Sequence, residues 1–379
     1  MGEVGSFLRG KSILKSDFVE KGMPCIHYGQ VHTKFGISVN KHLSEIPIEL
    51  YKKSIIASPG DTIIAITSED LEGSCKSTDW LGNNDVAVSA HAAVYKHDFV
   101  PKFIPYYLRS HSFYLEKEKY ARGFKVMEIK PSDLAKIPVP IPSKETQNCI
   151  VSELDDINDT ITMLQQQVSD LDILANSIFY DMFGDPIQNP MAWPIKKLGE
   201  VCQSDLGKTL NASKDKGNYY PYLCAINVLW NKIETKIIKQ TRFEESELER
   251  YSVRKGDLLV CEGGDIGRAA IWDKNEPIQY QNALHRLRFN DDVSARYILT
   301  FLYILKISGE LDGKYGKGVT IKHLVKSSLL SIPTPIPPLA LQKNYASKIA
   351  NIEEAKANIN SQIAEMQTLL AARMQYWFD

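Results

Sequence analysis

The amino-acid sequence predicts an α+β protein built from two tandem copies of one unit, each a mixed sheet with helices followed by a long helix. Three observations support this prediction: a proline-rich hexapeptide that occurs twice, a series of matches at nearly the same offset, and a heptad pattern after each hexapeptide. The chain has 379 residues, a length that accommodates two or three domains.

The hexapeptide reads IPVPIP at residues 137–142 and IPTPIP at residues 332–337. Proline fixes φ and donates no backbone hydrogen bond, and it pushes the residue before it into extended geometry. Each copy is therefore predicted to be extended and stiff, and unsuited to a helix or to the centre of a sheet. We expect it to form the exit from a globular body, with Pro142 or Pro337 just ahead of the next helix.

Other matches keep the same order along the chain. At offsets of 195 to 197 residues, they pair Gly2 with Gly199, Gly10-Lys11 with Gly207-Lys208, Pro24 with Pro221, Gly60-Asp61 with Gly256-Asp257, Leu134 with Leu329, Gln147 with Gln342, and Phe183 with Phe378. A drift of two residues is typical of small insertions in loops. The chain is therefore predicted to be a tandem repeat, with units at about residues 1–185 and 186–379.

Apolar residues recur with alternating spacings of four and three after each hexapeptide, the period of a coiled-coil helix. The candidate helix-pairing residues are Ile150, Leu154, Ile157, Ile161, Leu164, Val168, Leu171 and Ile178 in the first tail, and Ile349, Ile352, Ile359, Ile363, Met366 and Leu370 in the second. Lys356 and Arg373 occupy apolar positions of the second pattern, which predicts a poorer seam there. Two helices of ~33 residues, ~50 Å each, are expected to pack on each other.

The bodies before the hexapeptides contain short β-branched segments bounded by Gly, Asp and Asn. Strands are predicted at residues 54–57, 61–66, 86–89, 257–261 and 269–272, and helices at residues 103–120 and 295–307. The glycine-rich stretch 261–267 (CEGGDIG) is predicted to be a hairpin turn between two strands.

The charge is distributed unevenly, although the whole chain carries a net charge of −1. Residues 141–185 contain one basic and nine acidic side chains, with no Lys or Arg between Gln147 and Asp185. An acidic helix repels phosphate, so it is expected to face protein or solvent. The two bodies are mildly basic, with 18 basic against 16 acidic residues in 1–140 and 22 against 17 in 186–340.

Basic residues near glycine-containing turns are the candidates for contacts with a nucleic-acid backbone. The candidate DNA-binding residues are Lys11, Lys15, Lys119, Arg122, Lys125, Lys208, Lys214, Lys216, Arg268, Lys314, Lys317 and Lys322. The turns 121–125 and 313–318, which lie beside Tyr120 and contain Tyr315, are the best placed. Ordinary solvated surface lysines account for many of the others.

Motifs of catalysis and cofactor binding are missing from the sequence. The glycine-rich stretch is not followed by the G-K-[ST] of a P-loop. Asn189-Pro190 is not followed by Pro and an aromatic residue, as an adenine methyltransferase motif requires. The six cysteines and the histidines have no metal-binding spacing. We therefore predict no catalytic residue, no metal and no cofactor.

No apolar signal core and no run of eighteen apolar residues occurs in the sequence. The scattered cysteines are interpreted as reduced thiols. These features predict a cytoplasmic protein without a membrane partner.

The duplicated unit resembles the specificity subunit of Type I restriction-modification systems. The resemblance covers nearly the whole chain and includes residues 197–201 (KLGEV), 255–259 (KGDLL), 264–267 (GDIG) and 332–342. It implies target recognition domains at 1–142 and 186–337 and conserved coiled-coil helices at 143–185 and 338–379. In that family each domain reads one half of a split DNA sequence.

The same resemblance implies that the two helices pair antiparallel and dock methyltransferase subunits, and that an approximate twofold axis relates the repeats. The implied partners are double-stranded DNA, methyltransferase subunits (two copies) and a restriction/translocase subunit.

Two other interpretations stay open from the sequence. A two-headed coiled-coil scaffold without DNA binding is favoured by the near-zero net charge, and a salt-dependent mobility shift on duplex DNA would separate it from a DNA-binding protein. A fused restriction-methylation enzyme is opposed by the missing methyltransferase motifs.

Overall fold

The protein is described by a computed structural model, which covers residues 1–123, 125–211, 213, 215–318 and 322–379. The chain forms two compact units. The first unit comprises residues 1–166 and 359–379, and the second comprises residues 167–358. Each unit therefore contains one globular body and a part of each of the two long helices.

The first body contains eleven strands and five helices among the described residues. Its strands are β1 (Gly5–Arg9), β2 (Met23–Ile26), β3 (Ser38–Val39), β4 (Ser44–Ile46), β5 (Ile55–Ala57), β6 (Thr62–Ala65), β7 (Thr67–Ser68), β8 (Ser77–Trp80), β9 (Val86–Val88), β10 (Ala92–His97) and β11 (Met127–Glu128). Its helices are α1 (Tyr28–Thr33), α2 (Ile48–Tyr51), α3 (Phe103–Tyr107), α4 (His111–Glu118) and α5 (Pro131–Leu134), with a 3-10 turn at Lys15–Asp17.

The long helix α6 (Lys144–Phe183) follows, and then the second body. Its strands are β12 (Ile195–Lys197), β13 (Cys202–Leu206), β14 (Asn218–Leu223), β15 (Val228–Leu229), β16 (Lys232–Ile233), β17 (Lys239–Phe243), β18 (Ser252–Val253), β19 (Leu258–Cys261), β20 (Ala269–Ile271), β21 (Ile278–Tyr280), β22 (Leu284–Phe289) and β23 (Pro333–Pro335). Its helices are α7 (Leu198–Val201), α8 (Glu245–Leu248), α9 (Ala295–Ile307) and α10 (Lys326–Leu330), with a 3-10 turn at Ala225–Asn227 and a π-helical turn at Leu311–Tyr315. The second long helix is α11 (Leu339–Phe378).

The two bodies have the same strand order. In the first, one sheet runs β1-β10-β6-β8-β3 and a second runs β4-β2-β9-β5. In the second, the corresponding sheets run β13-β22-β19-β20 and β17-β14-β21-β18. The parallel pairs also correspond, because β2 pairs with β9 and β14 pairs with β21 in the parallel direction. The predicted repeat of a mixed sheet is thus confirmed at the level of strand pairing.

The predicted strands and most predicted helices are present, with one correction. The strands β5, β6, β9, β19 and β20 lie within the predicted segments, and residues 262–268 connect β19 and β20 as an antiparallel hairpin. The helix predicted at 103–120 is wrong as a single helix, because the chain breaks between α3 and α4. The Ser110 side chain accepts a hydrogen bond from Phe113 N (3.1 Å) and starts a new helix there.

The glutamine after each hexapeptide makes the same contacts in both units. Gln147 Nε2 donates to Pro142 O (2.9 Å), and its Oε1 accepts from Val100 N (2.9 Å). Gln342 Nε2 donates to Pro337 O (2.7 Å), and its Oε1 accepts from Ser294 N (2.8 Å). Each buried glutamine therefore ties the proline segment and the first turn of a long helix to its own body.

The second hexapeptide also forms a short edge ladder, because β23 pairs with β12. Both long helices have 40 residues, more than the ~33 predicted from the apolar pattern. The turns before the first seam residue, Ile150 or Tyr345, are helical as well.

In each unit the two long helices run antiparallel. In the second unit Lys356 Nζ donates to Asp172 Oδ1 (2.6 Å), and seven residues further along α6 the Phe179 ring lies 5.5 Å from that of Tyr345. In the first unit Arg373 binds both carboxylate oxygens of Glu153.

The prediction that Lys356 and Arg373 weaken the seam of the second helix is corrected by these contacts. Each cation meets a carboxylate of the acidic first helix, and an ion pair replaces the missing apolar contact.

Candidate nucleic-acid interface

The ends of several strands meet at one edge of the first body. The register pairs Arg9 of β1 with Ala93, Ala65 of β6 with Ala92, and Ile26 of β2 with Val88. The loops that follow β1, β2, β6 and β9 therefore emerge together. We call this edge the loop end of the first domain; it comprises residues 10–15, 27–28, 66–76, 89–91 and 121–129.

The second body has the corresponding edge. Leu206 of β13 pairs with His285, Cys261 of β19 pairs with Leu284, and Leu223 of β14 pairs with Tyr280. The loop end of the second domain comprises residues 207–211, 224–227, 262–268, 281–283 and the described residues of 313–324.

A short hairpin carries predicted basic residues at both loop ends. Backbone bridges join Arg122 with Glu128 and Lys317 with His323, at an offset of 195 residues. The hairpins dock in the same way, since Ile129 N donates to Ile66 O (3.0 Å) and Leu324 N donates to Glu262 O (2.7 Å).

The structure brings several predicted DNA-binding residues to these two ends. Lys11, Lys15, Arg122 and Lys125 are exposed at the loop end of the first domain. Lys314 and Lys317 are exposed at that of the second, where Lys314 Nζ lies 5.6 Å from the centre of the Tyr315 ring. Within the described part of the chain, none of these six side chains forms an ion pair.

Other predicted residues are engaged inside the fold. Lys208 is 6% exposed, and its Nζ donates to Glu247 Oε2 (2.6 Å) and Arg242 O (2.9 Å). Lys322 Nζ donates to Asp312 O (2.7 Å), and Arg268 donates to Ala225 O (2.7 Å). These contacts are structural, and they weaken the prediction that the three side chains bind DNA.

Three predicted residues lie apart from the loop ends or outside the description. Lys119 is exposed at the end of α4, where its Nζ donates to Glu116 Oε1 (2.6 Å). Lys216 is exposed just before β14. Lys214 lies outside the described residues.

The candidate helix-pairing residues of the first unit line the inner side of the two helices. Ile150, Leu154, Ile157 and Ile161 are buried, whereas Leu164, Ile359, Ile363, Met366 and Leu370 are half-buried. Ile150 and Leu154 belong to the core of the first body, which also contains Phe378 from the end of α11.

The second unit has the complementary arrangement. Ile349 and Ile352 are buried, and Val168, Leu171 and Ile178 are half-buried. Phe179 and Phe183, from the end of α6, belong to the core of the second body. Each body is thus packed against the start of its own helix and the end of the other. The assignment of these residues to helix pairing stays a prediction.

Aromatic and histidine side chains at the loop end of the first domain were missed by the sequence reasoning. His27 and Tyr28 follow β2, and His91 precedes β10; the Tyr28 ring lies 4.6 Å from that of His27 and 5.2 Å from that of His91. Burial lowers the pKa of His27, and the nearby Lys15 and His91 lower it further. The histidines were noted in the sequence only as unlikely metal ligands, and strand register was needed to bring them together.

A buried polar cluster lies in the sheet of the first body. The Asp79 carboxylate accepts hydrogen bonds from the Thr62 hydroxyl and Lys102 N, and Thr62 Oγ1 lies 2.8 Å from His97 Nε2. Burial raises the pKa of Asp79 to about 7 and lowers that of His97 to about 4.

Two further searches concern only the described residues. No group of three or more His, Cys, Asp or Glu side chains in them is placed to hold a metal ion. None of their helices combines the length and apolarity needed to cross a membrane.

Comparison with known proteins identifies the family. The family model for the Type I restriction modification DNA specificity domain matches residues 1–171 and 190–366. The chain belongs to this family. The predicted resemblance is thereby confirmed, and with it the prediction of a non-catalytic specificity subunit.

Individual relatives support the same family. The chain is 21% identical over 351 residues to the Type I restriction enzyme EcoKI specificity subunit of Escherichia coli K12, which covers 86% of this chain and 75% of that protein. It is 26% identical over 204 residues to the MjaVIII specificity subunit of Methanocaldococcus jannaschii, which covers 53% of this chain and 44% of that protein.

Solved structures share the fold. A chain from a study of complex assembly and conformational transition in a type I R-M system aligns with a TM-score of 0.63 at 17% identity, over 100% of this chain and 96% of that one. The S subunit from M. genitalium aligns with a TM-score of 0.55 at 13% identity, over 98% and 93%.

Proposed function

We propose that this chain is the sequence-specific DNA-recognition subunit of a Type I restriction-modification complex and reads a bipartite, asymmetric target with an unread spacer. The observation that carries the proposal is the duplicated loop end. Two domains with one strand order place the same hairpin and the same strand-end loops at one edge, but equip them with different side chains. Such a pair suits the reading of two different half-sites.

The exposed basic residues of the two loop ends fit the phosphate backbone. Lys11, Lys15, Arg122 and Lys125 in the first domain, and Lys314 and Lys317 in the second, have no ion pair among the described residues that would compete with DNA. Phosphate contacts of this kind set affinity and position, while base contacts set sequence.

The long helices are proposed to dock the partner proteins, which are two methyltransferase subunits and a restriction/translocase subunit, in the cytoplasm. Asp156, Asp159 and Asp181 are exposed on α6, so this face repels DNA and suits a basic protein surface. No cofactor is expected in this chain.

The test is copurification of the tagged chain with methyltransferase subunits, followed by methylome sequencing of cells that contain or lack the chain. We expect a split methylated motif that appears only with the chain. Methylation that is the same in both cells would contradict the proposal. A chain that binds the subunits but no DNA would instead favour a scaffold.

A further inference from the structure

The two domains build one backbone corner twice, at the start of each loop end. Lys11 forms a parallel bridge with Ser89, and Lys208 forms a parallel bridge with Gln281. Ala90 N donates to Lys11 O (2.5 Å), as Asn282 N donates to Lys208 O (3.0 Å). The main chain of the corner is therefore equivalent in the two domains.

The glycine before each lysine permits this close approach. A Cβ on Gly10 would lie 2.1 Å from Ser89 O, and one on Gly207 would lie 2.4 Å from Gln281 O. Backbone oxygens cannot yield to such a contact, so only glycine fits. The Gly-Lys pairs found at an offset of 197 residues are thus explained by packing, and the lysine is left to diverge.

The side chains of the two corners differ in their availability to a ligand. In the first domain Lys11 and Lys15 are exposed and form no ion pair with any described residue. In the second, the Lys208 ammonium lies between Glu247 and Arg242 O, with Asp215 Oδ1 at 3.5 Å. The first corner thus offers unneutralised positive charge, whereas the charge of the second is neutralised within the domain.

The aromatic and histidine residues of the first corner have no equivalents in the second. At the matching positions, Ala225 replaces Tyr28 and Ala283 replaces His91. His91 is exposed and has φ +67, so the turn presents its ring at the surface. The acidic group nearest in sequence, Asp17, is already used, because its Oδ2 accepts from Leu14 N (2.7 Å).

The lowered pKa of His27 supports a positive potential here, because Lys15 and His91 both contribute to it. A potential of this sign attracts an anion, and the phosphodiester is the anion that duplex DNA presents.

We infer that the corner formed by Lys11, Lys15, Tyr28 and His91 binds backbone phosphates of duplex DNA, and that the equivalent corner of the second domain does not. The inference rests on the proposed function and adds an asymmetry to it. The first domain anchors the DNA backbone at this corner, while the second domain must draw its phosphate contacts from elsewhere, such as the hairpin with Lys317.

The test measures the salt dependence of binding to a fluorescein-labelled random-sequence duplex, with the full-length chain. The triple variant Lys11→Ala, Lys15→Ala, His91→Ala is expected to lower the log–log salt slope by about 2, at ~0.9 per lost phosphate contact with each lysine. The variant Lys11→Arg with Lys15→Arg should keep the slope, because both charges remain.

The matched control in the same domain is Lys52→Ala, Lys53→Ala, His111→Ala, whose side chains are also exposed. The control should keep the wild-type slope, and circular dichroism should show that all variants are folded. If wild type binds and the triple variant keeps its slope and affinity, the corner is not a phosphate site. If wild type itself fails to bind duplex DNA, the proposed function fails and this inference falls with it.

Discussion

The two domains have the same strand order but fill equivalent interior positions differently. The first domain buries Thr62, Asp79 and His97 where the second buries or half-buries Leu258, Ile271 and Phe289. The strand registers match these positions pair by pair, since Thr62 faces Asp79 as Leu258 faces Ile271. A polar core and an apolar core can therefore support one backbone.

Some interior contacts are nevertheless kept in both domains. Asp61 accepts a hydrogen bond from Ser58 N (2.7 Å) and Asp257 accepts one from Arg254 N (2.7 Å). Trp80 Nε1 and Trp272 Nε1 each donate to a carbonyl four residues later. The kept contacts all close turns of the main chain, whereas the divergent ones fill space between strands. This difference teaches that the repeat preserves the path of the chain and leaves the packing free to vary.

Lengthening the helix pair tests whether the two domains read DNA independently of their spacing. Counting eleven residues along each helix from the Glu153–Arg373 pair leads to Leu164 and Gln362. Inserting seven residues after each keeps the heptad in phase and adds ~10.5 Å, about three base pairs. The methylome should show the same two half-sites with a longer unread gap.

A two-residue insertion at each place is the control, because it rotates the seam by ~200°. It should reduce assembly with the methyltransferase subunits. An unchanged gap in the heptad variant would show that the helices do not set the spacing.

The ion pairs on Asp61 and Asp257 should differ in their effect on stability. Arg288 binds Asp257 with two hydrogen bonds (2.7 and 2.6 Å), and the Asp257 side chain is 3% exposed. Arg288→Ala leaves that carboxylate buried without its cation and should cost about 3 kcal/mol. Lys96→Ala, the equivalent change beside the more exposed Asp61, should cost less than about 1 kcal/mol.

The measurement is urea unfolding followed by hydrogen exchange of peptides from β22 and from β10. Equal losses in the two domains would refute the difference. A loss confined to the variant domain is the expected pattern.

These pairs also show what the sequence could predict. Periodicity and repeated motifs were enough for the two units, the long helices and most strands, because those depend on local patterns. The break at Ser110 was missed because a single serine cap is a weak signal inside an apolar run. Lys356 and Arg373 were taken for defects, because their partners Asp172 and Glu153 lie about 180 to 220 residues away in sequence.

The candidate interface was predicted only in part for the same reason. Basic turns are visible in sequence, and Arg122, Lys125, Lys314 and Lys317 do reach the loop ends. Whether a lysine is free or used inside the fold depends on distant residues, as Glu247 shows for Lys208.

The polar core of the first domain should give it a hidden pH dependence. The Asp79 pKa is raised from 3.8 to about 7, so its contribution to stability is complete below pH 3.8 and is lost as the pH rises through 7. The His97 pKa is lowered from 6.5 to about 4, so its contribution is complete above pH 6.5 and is lost as the pH falls toward 4. Between pH 4 and 6.5 the two effects oppose each other.

Single variants should separate these two effects. On acidification from pH 6.5 to 4, Asp79→Asn should lose stability through His97, and His97→Phe should gain it through Asp79, each by about 2 kcal/mol. Urea unfolding at each pH, read by pulse labelling of β6 and β10 at one fixed pH, checks both signs. Parallel profiles for the two variants would contradict the assignment, and β19 of the second domain serves as the internal reference.

The basic hairpins are the feature in which the two domains should act most alike. Arg122→Ala with Lys125→Ala, and separately Lys314→Ala with Lys317→Ala, should each lower the log–log salt slope of DNA binding by about 1.8, at ~0.9 per phosphate contact. Lys322 is left unchanged in this test, because its Nζ holds Asp312 O and its loss would disturb the fold. The methylated motif should stay the same, since phosphate contacts carry no sequence information. Lys343→Ala with Lys348→Ala, exposed on α11, is the matched control. A slope that falls for one hairpin and not for the other would mean that the asymmetry inferred at the Gly-Lys corners extends to the hairpins, and that the two domains hold DNA by different contacts.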